Sequence, residues 1–170
     1  CELTLEGDDG EPITLVGTDL AGESRSMRFT GRIDRVDATG DPEDPTYHVL
    51  DYKSSSYPSK SGYRDGAVLQ APLYLAGLET LKMVTPGKGR YRVIKKPGSP
   101  QNGCEVKAGS DDYETALRFA FSIPGRVRAG LFEPVMAASG EWKFFHPGIQ
   151  VTRGRPQLED GSRFDGGAVR

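Results

Sequence analysis

Cysteine is scarce in this chain: Cys1 and Cys104 are the only two in 170 residues. Two thiols cannot build a disulfide framework. Nor can they supply a four-thiolate zinc or iron–sulfur site. No iron–sulfur cluster is therefore expected, and a reducing cytoplasm suits the chain. No apolar run approaches the roughly 18 residues a spanning helix needs, and no signal-peptide pattern opens the sequence, so no membrane partner is expected. An excess of one charge is also lacking, with 22 Lys and Arg against 24 Asp and Glu. The bulk basic balance of a protein that coats nucleic acid non-specifically is thus absent. A site with acidic metal ligands at its centre and basic residues at its rim remains compatible with that balance. Cys1 stands where a Met would open a gene product, and the chain is expected to be part of a longer polypeptide.

What is present suits one ordinary domain with many turns: 36% hydrophobic residues, 22 Gly and 12 Pro. Glu2 to Glu6 alternates as a half-buried strand does, Asp8-Asp9-Gly10 gives a turn, and Pro12 to Val16 reads as a second strand. Met27 to Val36 is a longer alternating run, with Met27, Phe29, Ile33 and Val36 pointing inward and Gly31 marking a bulge. Ala38 to Pro45 has the composition of a loop, and Tyr47 to Lys53 is the next strand. Ala67 to Met83 carries a broad apolar face and reads as a helix, with Pro72 in its first turn or at a kink. Tyr91 to Lys95 is a strand after a Pro-Gly-Lys-Gly turn. Asp111 to Arg128 is a second helix that Pro124 kinks or ends. Strands first, then helix, strand and helix, imply an α/β fold with a central mixed β-sheet flanked by helices. One domain is expected over residues 1–150, and 151–170, rich in Gly, Arg and Asp, as an extended or disordered tail.

The chemistry concentrates on two strands. Gly31-Arg32-Ile33-Asp34-Arg35-Val36-Asp37 and Leu50-Asp51-Tyr52-Lys53 are close enough in sequence to pair. Asp34 and Asp51 then point toward one spot, a hard-oxygen site of the kind Mg²⁺ or Mn²⁺ prefers. Lys53, two residues beyond Asp51, projects from the same strand face. A Lys beside a carboxylate-bound metal can position water and offset developing phosphate charge. Asp and Lys two apart on a strand are also a common surface ion pair. The apolar Val49-Leu50 before them favours a site, because it carries the charges to the rim of a sheet.

These segments resemble a known family, the PD-(D/E)XK nucleases, and within it the RecB-like or AddB-like C-terminal domains of helicase–nuclease repair enzymes. Residues 31–37 resemble its Gly-x-Ile-Asp-Arg-x-Asp motif, Asp51-Tyr52-Lys53 its Asp-Tyr-Lys, and Gln70-Ala71-Pro72-Leu73-Tyr74 its Gln-x-x-x-Tyr. The likeness spans roughly residues 2 to 135. It implies a restriction-endonuclease-like core and a DNA nuclease using Mg²⁺ or Mn²⁺. Asp34, Asp51 and the backbone carbonyl of Tyr52 would be metal ligands, and Lys53 the catalytic lysine. Gln70 and Tyr74, one helical turn apart, would reach the active site or the DNA. Glu2 would be a further acidic residue, or else an edge-strand surface Glu. Ser54, Ser55, Lys60 and Arg64, just beyond the catalytic strand, are candidate phosphate contacts, or else a solvated loop. The implied partners are DNA and a helicase domain or subunit.

The chain also departs from the family. Gly130-Leu131-Phe132-Glu133-Pro134 matches the stretch that precedes cluster cysteines in many RecB-like members, yet no cysteine follows. Trp142, Phe144 and Phe145 are expected as an apolar plug instead. A His on a preceding helix is common in the family, and neither His48, expected to be structural, nor His146, expected in a loop, fits that place. Two other readings stand beside the active nuclease: an inactive nuclease-like domain that binds DNA or scaffolds a helicase, and a restriction or CRISPR-associated nuclease. The intact Asp34, Asp51 and Lys53 favour activity.

Overall fold

A computed structural model describes residues 2–54, 56–82, 84–94 and 104–130. Its first strands are β1 (Leu3–Leu5), β2 (Ile13–Thr18), β3 (Ser24–Phe29), β4 (Gly31–Ile33), β5 (Arg35–Asp41) and β6 (Asp44–Lys53). Short alternating segments joined by turns pair antiparallel here: β1 with β4, β2 with β3, and β5 with β6. The Asp8-Asp9-Gly10 turn forms as expected, with Gly10 at φ 77°, a conformation that Gly adopts without steric cost.

After β6 come a 3₁₀ turn (Lys60–Tyr63), helix α1 (Gln70–Lys82) and strand β7 (Thr85–Val93). Strand β7 lies parallel to β6. A parallel pair needs a crossover, and α1 provides it. Strand β8 (Val106–Lys107) closes the far edge antiparallel to β7, giving the order β5-β6-β7-β8. Helix α2 (Asp111–Arg128) follows, with the Ser110 hydroxyl accepting from the Tyr113 amide as N-cap. This is the expected α/β class: a mixed central sheet with helices. The core gathers Leu5, Ile33, Val49, Tyr63, Leu75, Leu78, Val106 and Ala116. No helix among the described residues is long and apolar enough to cross a membrane.

The structure corrects several sequence expectations. The run from Met27 to Val36 is not one strand: it breaks at Thr30 and bends at Asp34. Met27, Phe29, Ile33 and Val36 nevertheless all belong to or pack on the core, because the bend at Asp34 resets which parity faces inward. Gly31 marks a close approach instead of a bulge, since a Cβ there would lie 2.8 Å from Tyr74 Cε1. Ala38 to Pro45 is a tight hairpin, closed by the Asp41–Asp44 pair, with the Glu43 amide donating to Asp41 Oδ1 at 2.9 Å. Pro45 fits because it sits one step beyond the closing pair, opposite Gly40, where an antiparallel ladder uses no N–H.

Pro86 to Gly89 is strand, not turn. A Cβ on Gly89 would meet Ala71 Cβ at 2.7 Å, so this glycine lets α1 lie close on the sheet. Helix α2 continues through Pro124 to Arg128. Helix α1 begins at Gln70, not Ala67, which puts Pro72 in its first turn, where the missing N–H has no intrahelical partner to lose. The boundary expected near residue 150, the tail, the plug residues Trp142, Phe144 and Phe145, and His146 lie outside the described residues.

Candidate active site

Strand parity builds the site. Val49 is 2% exposed on the face of β6 that meets α1, and Asp51 and Lys53 share that face. Strand β5 pairs with β6 only as far as Arg35 opposite Leu50. Beyond that pair the chain bends at Asp34, and the Tyr52 amide has lost its ladder partner. Asp34 Oδ2 takes its place, accepting from Tyr52 N at 2.8 Å. A buried amide needs such a partner, so Asp34 is fixed to the strand that carries Asp51.

Helix α1 supplies the other wall. Gln70 donates through Nε2 to Asp51 Oδ1 at 2.7 Å, and its Oε1 accepts from Lys53 Nζ at 2.8 Å. The same Nε2 lies 3.1 Å from the Tyr74 hydroxyl, one turn along the helix. Lys53 Nζ completes the ring, 2.7 Å from Asp51 Oδ2. Apart from that ammonium, Oδ2 has no polar partner. The contact is an ion pair, with the Asp51 side chain 8% exposed and Lys53 34%. Below them lies Tyr91, its ring centroid 5.4 Å from Lys53 Nζ and its hydroxyl 3.3 Å from the Ala71 amide.

Burial pushes the Asp51 carboxyl above its ordinary value, and the negative charge of Asp34 adds to that. The Lys53 ammonium and the Gln70 amide act in the opposite sense. A buried carboxylate whose charge is disfavoured, with a second carboxylate beside it, is a donor set a hard cation would satisfy. Among the described residues no three His, Cys, Asp or Glu side chains converge to enclose a metal. The residues therefore fit an open site, and Mg²⁺ is commonly held by one or two carboxylates with water and phosphate oxygens.

The family model of the PD-(D/E)XK nuclease superfamily matches residues 2–141, most of the chain. The chain belongs to the PD-(D/E)XK nuclease superfamily. No curated protein matches it. Within the matched span the fold gathers Asp51, Lys53, Gln70 and Tyr74 around one spot, with Asp34 tied alongside through the Tyr52 amide.

The other sequence candidates stand further out. Glu2 precedes β1 and forms an ion pair with Arg32 at 2.8 Å, with both side chains more than half exposed. Ser54 is exposed at the end of β6, and Ser55 lies outside the described residues. Lys60 and Arg64 flank the 3₁₀ turn and both face Asp112 at the start of α2, at 3.9 and 2.7 Å. Arg35 pairs with Asp37 at 2.6 Å. His48 Nδ1 accepts from the Lys88 amide at 3.1 Å and its Nε2 lies 2.8 Å from Thr39 Oγ1, so both nitrogens tie strands together. Sequence reasoning missed Tyr91. Within Tyr-Arg-Val-Ile-Lys it looks like any core aromatic, and only its register opposite Asp51 brings it to the site.

Proposed function

We propose that this PD-(D/E)XK domain is a metal-dependent DNA nuclease of the RecB/AddB kind, spanning residues 1–150 with 151–170 as a tail. One observation carries the reading: Asp51, Lys53 and Gln70 form a buried ring in which Asp51 Oδ2 has no hydrogen-bond partner, with Asp34 held alongside through Tyr52. An ion pair kept only for stability would not stand buried beside a second carboxylate, where burial and the Asp34 charge both disfavour the Asp51 carboxylate.

Asp34 and Asp51 would hold Mg²⁺ or Mn²⁺, with the Tyr52 carbonyl as a further donor. When bound, the ion supplies Lewis-acid polarisation of a phosphate oxygen and makes water more acidic. Lys53 offers its ammonium to the charge that develops on the phosphate. Gln70 fixes the spacing of Asp51 and Lys53, and Tyr74 fixes Gln70. Ser54, Ser55, Lys60 and Arg64 meet backbone phosphates, the two basic residues exchanging Asp112 for phosphate. A helicase domain or subunit delivers the DNA, in the cytoplasm. Incubating the protein with single- and double-stranded DNA in Mg²⁺, Mn²⁺ or EDTA tests the activity. Cleavage in either metal and none in EDTA is expected, and cleavage that persists in EDTA refutes it. A helicase sequence encoded upstream in the same polypeptide or operon supports the repair role, and a restriction or CRISPR-associated neighbourhood contradicts it.

A further inference from the structure

Lys53 and a metal ion compete for one atom. Lys53 Nζ rests 2.7 Å from Asp51 Oδ2, the oxygen that lacks a hydrogen-bond partner and to which a cation would be drawn. When a cation arrives, Lys53 must leave Oδ2 without leaving the site. A Lys side chain is a long flexible stem with a strongly hydrated head, and this one is 34% exposed. Released from Asp51, it would turn to solvent unless something else retained it.

Two groups remain beside it: Gln70 Oε1 at 2.8 Å and the ring of Tyr91 with its centroid at 5.4 Å. Tyr91 is 2% exposed and stands opposite Asp51 in the parallel register of β6 and β7. An ammonium within about 6 Å of a ring centroid is attracted by the ring's quadrupole, the more so where water is excluded. The Tyr91 hydroxyl faces the opposite task. It accepts from the Ala71 amide at 3.3 Å, one of the first-turn N–H groups that α1 cannot satisfy itself. Ala71 directly follows Gln70. One side chain therefore supports Lys53 from below and pins the helical turn from which Gln70 reaches the same lysine.

We propose that Tyr91 is a positioning residue, an aromatic platform that retains Lys53 in the site when a divalent cation displaces it from Asp51. This rests on the reading of Lys53 as the catalytic lysine. It separates the two ends of Tyr91: the ring serves Lys53, and the hydroxyl serves the seating of α1. A Tyr91 that only filled the core would show no such separation.

The test uses Tyr91→Phe, Tyr91→Leu and a series in which position 91 carries phenylalanine with increasing ring fluorination. Fluorine drains the ring face of negative potential while hardly changing its size, so the series keeps the fold where Tyr91→Leu alone could lose it. Three quantities are read: kcat and KM on a DNA oligonucleotide, the melting temperature, and the Lys53 side-chain resonances by NMR with and without Mg²⁺. Tyr91→Phe should melt lower, yet keep kcat within about threefold and the Lys53 resonances near those of the parent. Tyr91→Leu should shift those resonances, most in Mg²⁺, and lower kcat about tenfold with KM little changed. Across the fluorinated series kcat should fall stepwise at nearly constant melting temperature. A kcat indifferent to fluorination, or Lys53 resonances indifferent to Tyr91→Leu, overturns the proposal. If the parent cleaves nothing, the nuclease reading fails by itself, and the resonances still decide whether Tyr91 holds Lys53.

Discussion

Replacing Asp51 by Asn should stabilise the metal-free protein. The folded environment disfavours the Asp51 carboxylate, first through burial and then through the charge of Asp34, more than Lys53 and Gln70 favour it. A neutral amide of the same shape still accepts from Gln70 Nε2 and removes the repulsion with Asp34. Its Nδ2 then faces Lys53 Nζ, which lies 2.7 Å from Oδ2 in the parent, and the partly exposed ammonium has to turn toward water. Against this stands the lost attraction of Lys53, which is 34% exposed. With Asp51 buried and only Lys53 partly open to water, that attraction is worth on the order of 1 kcal/mol, and burial of the carboxylate together with Asp34 outweighs it. The balance is a net gain, and each 1 kcal/mol of it raises the melting temperature by about 2–4 °C for a domain of this size.

The pH dependence fixes the sign. The folded Asp51 binds its proton more readily than the unfolded chain, whose ordinary value is 3.8. The parent should therefore gain stability as the pH falls from its raised folded value toward the ordinary one, and the advantage of Asp51→Asn should shrink over that interval. Metal should reverse the order at neutral pH, because an ion at 100 times its Kd adds about 2.7 kcal/mol to the protein that binds it. Thermal melts of both proteins in EDTA and in Mg²⁺ measure all of this. An Asn variant that melts lower than the parent in EDTA, and rises equally in Mg²⁺, would refute the reasoning.

Lys53→Ala should leave metal affinity by calorimetry near that of the parent and slow cleavage roughly 10²-fold or more, the scale of losing one electrostatic stabiliser. Gln70→Ala should cost less in rate, since Gln70 spaces the other two and carries no charge. Gly89→Ala should destabilise by about 1–3 kcal/mol in denaturant titration, because its Cβ meets Ala71 Cβ at 2.7 Å where α1 lies on the sheet. Asp19, held below the usual carboxylate range first by Arg25 and then by the Glu23 amide, stabilises the β2–β3 turn only while ionised. Asp19→Asn should therefore melt lower at neutral pH, and the gap should close as the pH falls from the ordinary value of 3.8 through the lower folded one.

The residues of the site were legible in the sequence because short-range geometry suffices for them. A period of two puts Asp51 and Lys53 on one strand face, and a spacing of four puts Gln70 and Tyr74 on one helix face. The limits of α2 follow from Ser110, the acidic first turn and the basic last turn. What was hidden depends on partners distant in sequence. The inward residues change parity between Ile33 and Val36, but a bulged strand gives the same pattern, so the bend that aims Asp34 at Tyr52 could not be told from a bulge. Gly87 and Gly89 look like a turn until His48 and Ala71 press against them. The two residues of β8 carry no period at all. Tyr91 meets Asp51 only through a register set by the α1 crossover, and Arg64 finds Asp112 across 48 residues of chain.

The central claim is that Asp34, Asp51 and Lys53 cleave phosphodiesters with a divalent ion. The most direct measurement is a time course of cleavage of a labelled DNA duplex and of its single strand by the parent and by Asp51→Asn, each in Mg²⁺, in Mn²⁺ and in EDTA. The account predicts metal-dependent products from the parent and none above background from the variant, although the variant is folded and melts higher without metal. Equal cleavage by the two proteins would contradict it.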